Sequence, residues 1–269
     1  MERPPGYARR VVALAAIGLL LIPLLGAQQS PPGRRPRLVV VIVVDQMRGD
    51  YVERFRDQWR GGLRRLVDQG AWFHNAAYPY AGTETCPGHA TVSTGVFPAT
   101  HGIIANAWWD RQQAKPVSCT LDAAAHDMGA NRTASSGDSP ARLLVPTFAE
   151  QLRVARPGSR VVTLSLKARS AIMLAGHRAD VVLWFDETRG DWLTSSAYVS
   201  AMPAFARDFL LSNPVAADLS KIWEPALPEA RYKNGRSIAG ESPPSGWTTR
   251  FPHALAAGKG SADVAFLNR

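Results

Sequence analysis

Apolar and polar positions divide this chain into alternating strand and helix signals. Leu38-Val39-Val40-Val41-Ile42-Val43-Val44 is continuously apolar and ends in Asp45, the pattern of a buried parallel strand that delivers a carboxylate to the carboxyl edge of a sheet. Ligands bind at that edge in open α/β sheets. A helical spacing follows across Tyr51 to Phe55 and Leu63, Leu66 and Val67, with Gly70 placed to end it. Ala71-Trp72-Phe73 predicts a second strand, 78–84 a loop, and the stretch after Thr85 a helix running to Thr94 before Gly95. Pro87 falls in the first turn of that helix, where its missing N–H costs nothing. Trp108-Trp109-Asp110-Arg111 begins a strand pair, and 111–139, rich in Ala, Ser, Gly and Asp, reads as a surface excursion. A helix is expected from about Ala141 to Ala155, ending at Pro157-Gly158. The strand Arg160 to Leu164 then leads into Lys167, and Val181 to Phe185 turns at Glu187 to Gly190 and returns through Ser195 to Tyr198. Beyond about 212 the chain is Pro-rich and weakly periodic. Strands alternating with helices predict an α/β fold: a parallel-rich central sheet flanked by helices, with a local antiparallel excursion.

The first 27 residues carry an export pattern. Arg9 and Arg10 form a basic start, Val11 to Leu25 an apolar core, and Leu25-Gly26-Ala27 a small-residue site for cleavage before Gln28. The apolar run is shorter than the ~20 residues that span a bilayer, so no stable membrane span is expected after cleavage. Residues 28–36 read as a linker and 37–269 as the folded part. The protein is therefore expected to be periplasmic or secreted. The formal net charge is +9, yet no block of five or six Lys/Arg occurs. That excludes the usual nucleic-acid footprint and fits attraction of small anionic substrates. Cys86 and Cys119 could pair in an oxidising compartment. The place of Cys86 beside Thr85 favours a buried free thiol instead.

The chemistry gathers around Thr85, a hydroxyl at the start of a helix, where the dipole favours an alkoxide or a phosphoryl group. Singly, the candidate residues have ordinary explanations: Asp45 as a helix cap, Thr85 as another, Lys167 and Arg169 as a solvated pair. In order they say more. Val44-Asp45-Gln46-Met47-Arg48, Thr85-Cys86-Pro87-Gly88-His89, His101-Gly102-Ile103 leading to Asn106, and Ser165-Leu166-Lys167-Ala168-Arg169-Ser170 together resemble the alkaline phosphatase superfamily. The closest resemblance is to the phosphate-irrepressible periplasmic enzymes with a Thr nucleophile, over about residues 36–255.

That resemblance implies hydrolysis of phosphate monoesters through a phospho-Thr85 intermediate. It implies two zinc ions with Asp45 and Thr85 among their ligands, Asn106 on a phosphate oxygen, and Lys167 and Arg169 closing over the others. The forked guanidinium suits phosphate. It also implies that His89 is structural. Asp122 and His126 have metal-ligand spacing but are expected to be surface residues, since the family's Asp-x-x-x-His pair comes later in the chain. The family's remaining metal ligands have no counterpart here, and neither His177 nor His253 lies in such a motif. The chain is thus expected to be the N-terminal part of such an enzyme, incomplete at the C-terminus, with neither zinc site filled. A phosphodiesterase or nucleotide pyrophosphatase of the same superfamily and a non-catalytic remnant are the alternatives.

Overall fold

The computed structural model describes residues 36–130, 136–186, 190–218, 220–232 and 247–255. The export pattern, most of the linker and the C-terminal residues 256–269 lie outside them. Among the described residues no helix is long and apolar enough to cross a membrane. Two units are distinguished, Met1–Val44 and Asp45–Arg269.

In the first unit the described residues 36–44 form no strand. Leu38 is 77% exposed and Ile42 75%. The strand expected here is corrected: an apolar run becomes a buried strand only when neighbours pair with its backbone, and 38–44 takes part in no ladder.

The second unit contains, in chain order, α1 (Tyr51–Arg54), α2 (Gly61–Gln69), α3 (Thr85–Thr94) and α4 (Pro98–His101). There follow β1 (Ala107–Asp110), β2 (Lys115–Ser118), β3 (Leu121–Asp122), β4 (Asp127–Met128) and β5 (Gly137–Asp138). Next come α5 (Phe148–Ala155), β6 (Val162–Ser165), α6 (Ala168–Ala175), β7 (Val181–Asp186), β8 (Asp191–Ser195) and α7 (Ala204–Ser212). The last pair is β9 (Ile222–Trp223) with β10 (His253–Ala254).

The four-stranded sheet has the order β4-β8-β7-β6. Val181, Val182, Trp184 and Phe185 are all buried, so β7 is covered on both faces, as its unbroken apolar sequence demands. β6 runs parallel to β7 through α6, a right-sized crossover. β8 returns antiparallel to β7, and β4 is antiparallel to β8. The fold is α/β as expected, and among the described residues the sheet is mixed, with β6–β7 parallel and the other pairs antiparallel. The strand predicted at 71–73 is also absent. β6 leaves Val162 and Leu164 61% and 63% exposed.

Helix α6 packs on β6 and β7, and α3 packs on α6. Their shared core holds Cys86, Ala90, Ile103, Ala171, Ile172, Met173, Val182 and Trp184. Each large member contributes roughly 1.5–3 kcal/mol by leaving water. Ser93 in the last turn of α3 donates to the Met173 carbonyl in α6 at 2.6 Å. A smaller aromatic core joins Phe185, Trp192 and Leu255 to Trp223 and Trp247.

Helix α5 starts at Phe148, seven residues later than expected. A capping box decides the start: Thr147 Oγ1 accepts from the Glu150 N–H, and the Glu150 carboxylate accepts from the Thr147 N–H. Gly176, at φ +71°, closes over that box, and a Cβ there would collide with the Glu150 carboxylate. Residues 111–139 are only partly the surface excursion expected, for Val117, Cys119, Thr120 and Ala125 are buried. Their anchor is a disulfide between Cys86 and Cys119, which replaces the free thiol expected at Cys86. The two sulfurs meet because the β1–β2 hairpin folds back onto the start of α3.

Asp127 sits where β4 meets the sheet, its Oδ1 accepting from the Asp138 N–H at 2.8 Å. Burial, reinforced by the nearby Asp138 and Asp186 charges, pushes its carboxyl up to about 7. The folded chain therefore keeps a proton that the unfolded chain loses near the ordinary value of 3.8. The folded state is penalised progressively as pH rises between those values. Asp127→Asn keeps the acceptor and removes the charge. It is expected to raise Tm at pH 8, by about 2–4 °C for each kcal/mol recovered, and to leave Tm near pH 4 little changed. Thermal melts of both proteins at the two pH values check this. For the disulfide, a Cys86→Ser, Cys119→Ser double variant is expected to lose about 3–4 kcal/mol for a closed loop of 33 residues, measured by urea unfolding under non-reducing conditions.

Candidate functional site

Thr85 is the first residue of α3, and Glu84 takes the cap position in extended backbone. Gly95 closes the helix in the left-handed conformation. The Thr85 side chain is thus free of capping duty. Its hydroxyl donates to Asp45 Oδ2 at 3.0 Å. Asp45 lies in a turn whose next residue, Gln46, has φ 60°, and it caps no helix, since α1 begins after Asp50. Asp45 is exposed and Thr85 half-buried.

Asn106 precedes β1 and is held at three points. Its Oδ1 accepts from the Cys86 N–H at 2.8 Å. Its own N–H donates to Glu84 Oε2 at 2.6 Å, and its carbonyl accepts from the Cys119 N–H at 2.9 Å. A backbone N–H can only donate, so the side-chain atom facing Cys86 must be the oxygen. Among the described residues the Nδ2 protons have no acceptor.

Lys167 caps α6 and Arg169 lies in its first turn, directly after the carboxyl end of β6. Both are half-buried. Arg169 Nε is buried and has no hydrogen-bond partner among the described residues, a donor that an anion would satisfy. Cys86 and Ala168, from the first turns of α3 and α6, contribute to the same core. The fold thus joins Thr85 to Asp45, ties Asn106 to the neighbouring Glu84 and Cys86, and places Lys167 and Arg169 at the start of α6, the helix that packs against α3.

The histidines are occupied elsewhere. His89 is buried with Nδ1 2.8 Å from the Thr85 carbonyl oxygen, so it holds the helix backbone and does not face the hydroxyl. His101 is fully buried. Its Nδ1 accepts from the Ile103 N–H at 3.1 Å, and its Nε2 faces Thr91 Oγ1 at 3.1 Å. Burial holds its pKa below the ordinary imidazole value. Asp122 and His126 share no helix face. Asp122 is in β3 and accepts from Ser139 Oγ at 2.6 Å, which holds its carboxyl below the usual range, while His126 is exposed. His177 contacts Glu150 and the Leu143 carbonyl, and His253 packs on Trp247 and Phe251.

Among the described residues no group of three or more His, Cys, Asp or Glu is arranged to hold a metal ion. Asp45 and Thr85 offer two ligating side chains, short of the four ligands zinc usually takes. The described residues do not fit a complete zinc site. Glu84 is the residue that sequence reasoning missed. Its signal was a carboxylate immediately before the helix in Thr83-Glu84-Thr85, where the dipole welcomes it.

The model for the family "Type I phosphodiesterase / nucleotide pyrophosphatase" matches residues 39–247. The alkaline phosphatase PafA of Elizabethkingia meningoseptica is 36% identical over 219 residues, covering 80% of this chain and 40% of that protein. A crystal structure of wild-type alkaline phosphatase PafA superposes with a TM-score of 0.74 at 34% identity, over 80% of this chain and 42% of that one. A PafA variant substituted at one Thr, one Asn, one Lys and one Arg gives a TM-score of 0.74 at 32% identity, over 80% and 43%. This chain therefore spans about 40% of the length of the curated relatives it matches. With four ordered motifs, an α/β fold superposing on PafA and a family match over most of its length, the chain belongs to the type I phosphodiesterase / nucleotide pyrophosphatase family of the alkaline phosphatase superfamily.

Proposed function

We propose that this chain carries the phosphate-binding and nucleophilic part of a phosphomonoester hydrolase. The observation that carries this reading is the hydrogen bond from the Thr85 hydroxyl to Asp45 at a helix N-terminus, beside the unengaged Asn106 amide. Phosphoryl transfer needs an aligned nucleophile and donors around three equatorial oxygens. Thr85 Oγ attacks phosphorus as its proton passes to Asp45. The bond from phosphorus to the leaving oxygen breaks, and the departing alkoxide takes a proton from solvent. Water then attacks the phosphorus of phospho-Thr85, the bond from phosphorus to Oγ breaks, Oγ takes back the proton held by Asp45, and the proton lost by the water goes to solvent as phosphate leaves. Asn106 Nδ2, Lys167 and Arg169 hold the non-bridging oxygens. The residue types substituted in the PafA variant, a Thr, an Asn, a Lys and an Arg, are those of Thr85, Asn106, Lys167 and Arg169, which supports treating the four together. A monoester carries one more charged oxygen than a diester, so two cations favour monoesters over the diesters in the family's name. An exported location, periplasmic or secreted, is supported by the Cys86–Cys119 disulfide.

A second reading, a non-catalytic phosphate-binding domain, is favoured by the small number of metal donors near Thr85. Hydrolysis of p-nitrophenyl phosphate by the 269-residue chain with added zinc, beside zinc content and inorganic phosphate binding, separates the two. Phosphate binding without turnover supports the second.

If turnover is found, Thr85→Ala is expected to lower it by on the order of 10³-fold or more and to abolish an acid-trapped phosphoprotein seen by intact mass. Near-normal turnover in that variant excludes Thr85 as the nucleophile. Lys167→Ala and Arg169→Ala are each expected to cost about tenfold or more on the monoester, and less on bis(p-nitrophenyl) phosphate. Equal losses on the two substrates would remove the argument for monoesters.

A further inference from the structure

Asn106 can present donors to an anion only if its carboxamide is held in one orientation. Two of its three anchors, Glu84 and Cys86, flank Thr85 at the start of α3. The Cys86 N–H fixes Oδ1, and the Glu84 carboxylate takes the Asn106 backbone N–H at 2.6 Å. The second bond is charge-assisted and short, the stronger kind. Glu84 therefore pins the Asn106 backbone to the same turn that carries Thr85. The Cys119 N–H to Asn106 carbonyl bond holds the other side of that residue, next to the disulfide.

We infer that Glu84 is a positioning residue, whose function is to hold Asn106 so that Nδ2 faces the phosphate beside Thr85; this rests on the reading of Asn106 as a phosphate donor. Its charge has the opposite effect. A carboxylate near an anion site repels phosphate, although exposure of Glu84 weakens that repulsion. Position and charge thus make opposite predictions for the neutral isostere. Gln keeps an acceptor oxygen for the Asn106 N–H and removes the charge, while Ala removes both.

The test uses the ¹⁵N-labelled full chain, its Glu84→Gln and Glu84→Ala variants, and inorganic phosphate as the probe. In the wild type, phosphate is expected to shift the Asn106 side-chain amide resonances. Glu84→Ala is expected to speed exchange of the Asn106 backbone amide about tenfold or more and to weaken phosphate binding by a similar factor. Glu84→Gln is expected to restore the slow exchange and to bind phosphate at least as tightly as wild type. Unchanged exchange in Glu84→Ala, or a Glu84→Gln variant as weak as Glu84→Ala, overturns the inference. If phosphate leaves the wild-type Asn106 amide unmoved while Glu84→Ala still frees its backbone, the proposed function fails and the hold of Glu84 on Asn106 stands.

Discussion

The packing of helix α3 against α6 is the constraint on which the rest of this structure depends. Six of the ten residues 85–94 are Thr, Ser, Gly or His, a composition with little helical propensity of its own. Yet Cys86, Ala90 and Ser93 on α3 are buried, and the helix exists because α6 and the β6–β7 pair give that face somewhere to go. Once it is seated, its first turn is fixed in space. Thr85, Glu84 and the Cys86 N–H then become reference points to which Asp45 and Asn106 attach.

The attachments are polar and local, and each group serves once. Thr85 gives its hydroxyl to Asp45 and its carbonyl to His89, while Asn106 spends its oxygen on Cys86 and keeps its amide protons. Buried polar groups that are fully partnered rigidify a fold. At this site the half-buried Asn106 amide and the buried Arg169 Nε have no partner among the described residues, and both are donors. An arrangement whose surplus capacity is donors suits an anion, and the formal charge of +9 adds a long-range bias in the same direction.

The disulfide ties the same turn to the β1–β2 hairpin and carries a stretch of low hydrophobicity into the core. Without that tether, 111–139 has the composition of a loop. With it, Cys119 and Thr120 are buried and Thr120 pairs with Asp138, while the pairing of β4 with β8 sets Asp127 where its charge is penalised.

Much of this was legible in the sequence where local rules act alone. The end of α3 at Gly95, the strands β6 and β7, and the chain's return after Gly190 followed from apolar runs and turn residues, because those features depend on neighbours a few positions away, whereas helix α6 between β6 and β7 was not foreseen. The order of Asp45, Thr85, Asn106, Lys167 and Arg169 was readable as a motif set in the same way. What depended on partners distant in the chain was not. Leu38 to Val44 has a strand's composition and forms none, since a parallel strand takes its backbone partners from elsewhere. The α5 boundary moved because Thr147 and Glu150 satisfy each other. Cys86 and Cys119 pair, Glu84 reaches Asn106, and Asp122 and His126 part company only because the hairpin folds over the helix. Side-chain type and order are written in one dimension, whereas hydrogen bonds and disulfides need distances, and only the tertiary structure supplies those.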